Sequence, residues 1–335
     1  MPRTIIIGDI HGCWDELRDL FDAVALTDDD LVVSVGDLVD RGPAPGPVVD
    51  FFRARANSVV LCGNHERKHI RGVFSYSQEV ARLQMGASYA EQVAWMATLP
   101  YHYETPEVRV VHWGHFPGVP LDQVPEDVRA GTTSGDGKLR ARFGDRPWYE
   151  HYEDDVPIAF GHAVYKEPLV LRDRVFGLDT GACHGGALTA LVMPERRLVS
   201  VPARADHWER VRREWTVPVL RTHAWPTMPF EQIDKKVRAP RDPEMSGDFL
   251  DQVGAWAAAV RGLLPTLAAA LDAEAERVGA TGEYGRTAAA HPAGKWLLRL
   301  REGKLSKTHL GCATPADVFT LARALGVSVE VAEAP

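Results

Sequence analysis

Short motifs spread over the first half of the chain carry side chains that could do chemistry together. Asp9 and His11 stand in GDIHG, Asp37, Asp40 and Arg41 in GDLVDRG, Asn64 and His65 in GNHE, His112 in VVHWG and His162 in AFGH. Alternate residues of an extended segment point to the same side, so Asp9 and His11 can reach one ion. The Asp37 carboxylate has two oxygens and can bridge to a second ion, and Asn64 adds a neutral oxygen. Oxygen and imidazole donors mixed in this way suit manganese, iron, zinc, cobalt or nickel better than calcium, and we expect two divalent ions, manganese taken first although donor type does not choose among these metals. Such a pair at about 3.5 to 4 Å can share a hydroxide, bring its pKa toward neutrality and clamp phosphoryl oxygens for in-line attack. His65 neighbours Asn64 but is not needed as a ligand, which makes it the natural acid for the departing oxygen. Asp40 can orient that imidazole, and the planar guanidinium of Arg41 suits a phosphoryl group held between the ions.

Separate segments must deliver these groups to one place. Residues 4–7 are a β-branched run that stops at Gly8, and residues 14–26 then carry Leu17, Leu20, Phe21 and Val24 at helical spacing. The pattern repeats as a strand over 31–35, a Gly/Pro-rich loop, a helix over 47–55 and a third strand over 58–61. Unbroken apolar runs are what parallel strands covered on both faces require. Each of the first three motifs follows such a strand, where open α/β sheets present their ligand sites. His112 ends a strand expected over 108–111 and His162 one over 158–160. Further strands are expected over 175–178 and 187–193, with most of the intervening helical signal in 78–99.

GDIHG, GDLVDRG and GNHE, in that order, resemble the phosphoprotein-phosphatase branch of the calcineurin-like metallophosphoesterases. The resemblance implies an α/β fold of four layers, α/β/β/α, with two mixed sheets packed face to face and helices outside. It implies that Asp9, His11 and Asp37 hold one metal, and Asp37, Asn64, His112 and His162 the other. The stretch IAFGHAVYKEPLVLRDRVFGLDTGACHGGALTALVMPERRLVSV is similar to the tail of bacterial symmetrical diadenosine tetraphosphatases. It is also similar to the phosphatase module of bacterial polynucleotide kinase-phosphatases and to small bacterial protein phosphatases, whose loops likewise read GDLVDRGP. These likenesses imply symmetrical hydrolysis of dinucleoside polyphosphates such as diadenosine tetraphosphate to nucleoside diphosphates by a metal-bridging hydroxide. The alternative is a phosphomonoesterase acting on phosphoserine or phosphothreonine proteins or on nucleic-acid ends. An intact ligand and acid set argues against a non-catalytic binding module. Two departures bear on the substrate: some tetraphosphatases lack the aspartate matched by Asp40, and several carry tryptophan where this chain has His184.

With 335 residues, the chain has room for one large domain or a medium one plus a smaller one. A formal charge of -8 disfavours non-specific attraction to nucleic acid or anionic lipid. Cys13, Cys62, Cys183 and Cys312 form no C-x-x-C pair, which argues against a zinc ribbon or disulfide scaffold and fits reduced thiols in a cytoplasmic protein. The apolar run at the start is too short for a signal peptide and no later apolar run is long enough to cross a bilayer, so neither export nor a membrane span is expected. A catalytic domain over 1–215, a charged, Pro-containing linker or wrapping segment over 216–246 and a mainly helical accessory region over 247–335 complete the organisation. Pro265 should divide 248–278 into two helices, and Thr314-Pro315-Ala316-Asp317 reads as a capped helix start.

Other candidates have plainer readings. His115, beyond the Gly114 turn, reads as a non-ligand and His69 as an exposed helix residue, while His184 could touch substrate or serve structure. Cys13 and Cys62 read as packing. The stripe Phe249, Val253, Trp256, Val260, Leu263 and Leu267 reads as core or a dimer seam, and the sequence sets no oligomeric state. Lys295, Arg299, Arg301, Lys304 and Lys307, interleaved with Trp296, could hold a polyphosphate or nucleic-acid strand but are better read as a solvated face.

Overall fold

The computed structural model describes residues 3–239, 243–306 and 308–335, so Lys307 lies outside the described residues. Alternation along short β-branched strands decides the layers. β1 (Thr4–Ile7), β2 (Leu31–Ser34) and β3 (Ser58–Val60) pair in parallel, with α1 (Trp14–Val24) and α2 (Pro45–Ala54) as the crossovers. Along β1, Ile6 faces one side and Ile5 and Ile7 the other, and in β2 Val33 and Val32 divide the same way.

The chain continues through α3 (Asn64–Arg71), α4 (Tyr76–Met85), α5 (Tyr89–Met96), β4 (His102–Glu104) and β5 (Arg109–Val111). Next come α6 (Glu126–Arg129), α7 (Thr133–Phe143), β6 (Ile158–Phe160), β7 (Leu169–Leu171) and β8 (Val175–Gly177). β9 (Asp179–Thr180), β10 (Ala187–Met193) and β11 (Arg197–Pro202) follow. One sheet runs β11-β10-β1-β2-β3 with β9 beside β10, and the other runs β4-β5-β6-β8-β7. Both are mixed. β10 lies antiparallel to β1, with Leu191 opposite Ile6, and β4 and β7 are antiparallel edges on the parallel β5-β6-β8.

Ile6, Val33 and Leu191 of the first sheet share a buried core with Val110, Ala159 and Phe176 of the second. Beyond the first sheet, Ile5, Ile7 and Val32 pack with Leu17 and Leu20 of α1 and Val48 and Phe52 of α2. Beyond the second, Ile158, Phe160 and Val175 pack with Val128 of α6, Leu139 of α7, Trp148 and Tyr152. The layers are therefore α/β/β/α, as the sequence resemblance implies. The helical stretch expected over 78–99 divides into α4 and α5 around Gly86, whose φ of 54° breaks the first helix. β4, β7, β9 and β11 go beyond the sequence expectations. Three of them are only two or three residues long and exist because a neighbour pairs with them, which hydrophobic period cannot reveal.

The chain divides into two compact units between Trp215 and Thr216, a division that falls within α8 (His207–Arg221). The second unit contains α9 (Phe230–Arg238), α10 (Pro243–Gly262), α11 (Leu264–Gly279), α12 (Tyr284–Ala290), α13 (Gly294–Arg301) and α14 (Pro315–Leu325). Where the sequence suggests a linker or surface wrap over 216–246, the structure has the end of α8 and all of α9, with Trp225, Phe230 and Ile233 buried in this unit's own core. Charged residues mask the signal there, although Phe230, Ile233 and Val237 recur at helical spacing and all pack into that core.

Pro265 sits in the first turn of α11, where its missing N–H costs nothing, and Thr314 accepts a hydrogen bond from the Asp317 amide at 3.1 Å to cap α14. In the expected stripe Phe249, Val253, Trp256, Val260 and Leu267 are core residues and Leu263 is half-buried. Against the sequence expectation, the run Met245–Gly279 would by length and composition suffice to cross a membrane; 33% of its most apolar window is buried, and Phe249, Val253, Trp256, Val260 and Leu267 lie in the unit's core. Of the basic residues, the Lys295 ammonium lies 3.9 Å from the centre of the Trp296 ring, Arg301 covers Tyr284 at 4.6 Å and Lys304 pairs with Glu302 at 2.9 Å.

Candidate active site

The ends of β1, β2, β3, β5 and β6 lead into the loops that hold the motifs, and the turns they make are severe. His11, Asp37, Asp40, Arg41 and His162 adopt φ of 46°, 54°, 71°, 64° and 66°, a left-handed backbone that non-glycine residues avoid. Close approach explains two glycines. A Cβ on Gly161 would stand 1.9 Å from Asp9 Oδ1, and one on Gly63 would stand 2.2 Å from Asp37 Oδ1.

Asp37 is the hub. Its Oδ2 lies 3.7 Å from His11 Nε2 and 3.9 Å from His65 Nε2, while Oδ1 lies 3.5 Å from His112 Nε2. Donor atoms of His11, Asp37 and His65 form one group and those of Asp37, His112 and His162 another, all within 4.8 Å of one another in each. Asn64 Oδ1 sits 3.1 Å from His112 Nε2 and 3.0 Å from His162 Nδ1. Asp9 accepts the backbone N–H of His162 at 3.0 and 3.1 Å on its two oxygens, which ties the β1 loop to the β6 loop. Of the ligands expected from the sequence, His11, Asp37, Asn64, His112 and His162 bring donor atoms together, His65 joins the His11–Asp37 group, and Asp9 is tied to them through the His162 backbone.

The donor chemistry fits divalent ions. His11 Nδ1 donates to Val39 O at 2.8 Å and His112 Nδ1 to Val35 O at 3.1 Å, assignments made from those partners, so the His112 Nε2 lone pair faces Asp37 while that of His11 accepts from Arg41 with Asp37 Oδ2 3.7 Å away. Burial holds His11 and His112 below the ordinary imidazole range and brings His162 to about 3, which keeps all three neutral. Lone pairs of neutral imidazoles facing carboxylate and amide oxygens repel one another unless a cation stands between them. Burial, with the charges of Asp179 and Asp37, also pushes the Asp9 carboxyl well up, a penalty that a cation removes.

Beside this cluster, His65 Nδ1 bonds Asp40 Oδ2 at 2.5 Å, and Asp40 Oδ1 takes His69 Nε2 at 2.9 Å. Gln78 Nε2 also donates to Asp40, and His69 Nδ1 reaches the Tyr89 hydroxyl at 2.9 Å. His69 is therefore buried, not the exposed helix residue the sequence suggests: α3 sets positions 65 and 69 on one face, and that face meets Asp40. Burial opposes ionisation of Asp40, but the hydrogen bonds from His65 and His69 outweigh it and hold the carboxyl well below its usual range. Arg41 Nη1 lies 3.1 Å from His11 Nε2. His184 is exposed. His115 is buried between Trp148 and Tyr152 with neither ring nitrogen hydrogen-bonded, outside both donor groups.

Sequence reasoning passes over Glu66, Gln78 and Asp179. Glu66 accepts the backbone N–H groups of Asp37 and Gly63, both at 2.9 Å, and of Leu38 at 2.7 Å, so one buried carboxylate fixes the left-handed turn that aims Asp37. Its signal is the third helical position after Gly63 in GNHE, where a glutamate reaches back to the cap. Glu66→Gln leaves one acceptor oxygen for three N–H groups and sets an NH₂ against them. Stability should fall by about 1–3 kcal/mol in urea unfolding, and metal content should fall with it; a variant with unchanged midpoint and metal would remove Glu66 from this role. Asp179, in LDTG, is buried and accepts the Gly181 N–H at 3.0 Å, while burial pushes its carboxyl up to about 6.

A family model described as calcineurin-like phosphoesterase matches residues 2–186, the stretch that holds every one of these groups. The chain belongs to that family. Divalent ions in such a phosphoesterase neutralise phosphoryl charge and activate the attacking water. The chain is 30% identical over 230 residues to the asymmetrical bis(5′-nucleosyl)-tetraphosphatase PrpE of Halalkalibacterium halodurans, a match covering 59% of this chain and 93% of that one. The Bacillus subtilis (strain 168) protein of the same name is 27% identical over 239 residues, 61% of this chain and 96% of that one. A solved structure provisionally assigned as a diadenosine tetraphosphatase aligns with a TM-score of 0.50 at 28% identity, over 61% of this chain and 96% of that one.

Proposed function

We propose that this phosphoesterase hydrolyses dinucleoside polyphosphates. Asp9, His11, Asp37, Asn64, His112 and His162 would hold two divalent ions, manganese by preference. The observation that carries the reaction is the placement of His65: Asp40 anchors its Nδ1, and its Nε2 faces the cluster 3.9 Å from Asp37 Oδ2. A proton on that Nε2 is presented where a leaving oxygen departs. Arg41 Nη1 lies 3.1 Å from His11 Nε2, and if His11 held a cation the guanidinium would be free to meet a phosphoryl oxygen. The buried, unpaired-by-disulfide cysteines support a reducing, cytoplasmic setting.

The strand and loop similarity over 158–201 points to symmetrical cleavage, two ADP from diadenosine tetraphosphate. We take the asymmetrical outcome, ATP and AMP, because the relatives named for it align over 93% and 96% of their own length. The test is turnover by manganese-loaded protein of diadenosine tetraphosphate beside p-nitrophenyl phosphate and a phosphopeptide, with products resolved by chromatography. ATP with AMP is the expected product pair. ADP alone would restore symmetrical cleavage, and preference for a monoester would overturn the dinucleotide reading.

A further inference from the structure

A cavity of about 360 Å³ opens beside Asn64 and His162. One wall is α3, which contributes Arg67, Lys68 and Arg71, and the other is the turn at residues 131–133 leading into α7. Positions 64, 67, 68 and 71 follow the spacing of a single helix face, so Asn64 and three cations form a row leading away from the donor cluster.

The charge along this row is poorly compensated. Arg67 is buried, and its Nη1 reaches the Tyr101 hydroxyl at 2.6 Å and Glu126 at 3.4 Å, but its Nε has no hydrogen-bond partner. Lys68 and Arg71 have no ion pair among the described residues. Among the described residues the one carboxylate lining the cavity, Asp136, already accepts the Trp113 indole N–H at 2.8 Å. Cations three and four residues apart on a helix repel, a cost that an anionic ligand reverses. Arg41 and the two proposed ions would already meet the charge of a single phosphoryl group, so further cations beside them suit further phosphates.

We propose that this cavity seats the distal phosphates of the polyphosphate chain, those beyond the bond being cleaved, with Lys68 and Arg71 as their counter-charges. The inference rests on the dinucleoside polyphosphate reading and deepens it, since asymmetrical cleavage of a tetraphosphate leaves three phosphates on one side of the bond. Lys68→Ala with Arg71→Ala should lower the ratio of kcat/KM for diadenosine tetraphosphate to that for p-nitrophenyl phosphate by about 30-fold or more, chiefly through KM. The charge-keeping pair Lys68→Arg with Arg71→Lys should hold most of the ratio. If the unaltered protein cleaves the dinucleotide and the alanine pair leaves the ratio unmoved, the cavity assignment falls while the function stands; if the unaltered protein does not cleave the dinucleotide, both fall. Independently of any variant, inorganic tripolyphosphate should inhibit p-nitrophenyl phosphate turnover more tightly than orthophosphate at equal free manganese, and equal inhibition would also overturn the assignment.

Discussion

Asp37→Asn protein should lose turnover by more than about 10³-fold, above the 10²- to 10³-fold usual for one electrostatic contact at a reacting centre. The reason is its place in both donor groups: its two oxygens face His11, His65 and His112 from a single side chain. Asparagine keeps the shape and one oxygen but removes the charge that the surrounding neutral imidazoles cannot supply. Metal content by atomic emission should fall in parallel, because neither group then has its shared anion. Full metal occupancy with normal turnover in the Asp37→Asn protein would sink the two-ion reading altogether.

His65→Asn should behave differently, and the contrast separates an acid from a ligand. A lost general acid costs about 10²- to 10⁴-fold when the leaving oxygen is basic and much less when it is not. Phenyl phosphate turnover should therefore fall far more than p-nitrophenyl phosphate turnover, while bound metal stays at the level of the unaltered protein. The discrimination matters because His65 shares a donor group with His11 and Asp37. Equal losses on both esters, together with lost metal, would make His65 a ligand. The Asp40→Asn protein should show the same leaving-group pattern more weakly, since Asp40 acts by orienting the His65 ring through Nδ1.

Much of this centre is legible in the sequence. The runs ending at Ile7, Ser34 and Val60 are unmistakable as buried strands, and chemistry-bearing residues follow each of them. What the sequence hid was whatever depends on a partner distant in the chain. His69 looks like a solvated helix residue until Asp40 arrives to meet it, and the only local signal at Gln78 is its capping contact with Ser75, which does not reveal that its amide also meets Asp40. Glu66 carries no sequence signal beyond its place three residues after the Gly63 cap, although its carboxylate reaches across to the β2 loop. The start of α7 carries Gly135 and Gly137, poor helix formers, so its tertiary packing rather than its composition makes it a helix. In residues 216–246 the charges that surround Phe230 and Ile233 outvoted the apolar periodicity.

The left-handed backbone at His11, Asp37, Asp40, Arg41 and His162 limits how this enzyme can be adapted to heat. Each such position costs a non-glycine residue about 1–3 kcal/mol. The usual remedy, glycine at the strained position, is closed here, because the strained residues are themselves the proposed ligands, acid partner and phosphate clamp. Gains in thermal tolerance must then come from the sandwich beneath, where tighter packing between the two sheets can carry the strained loops without touching them, and lineages living at higher temperature should vary there first.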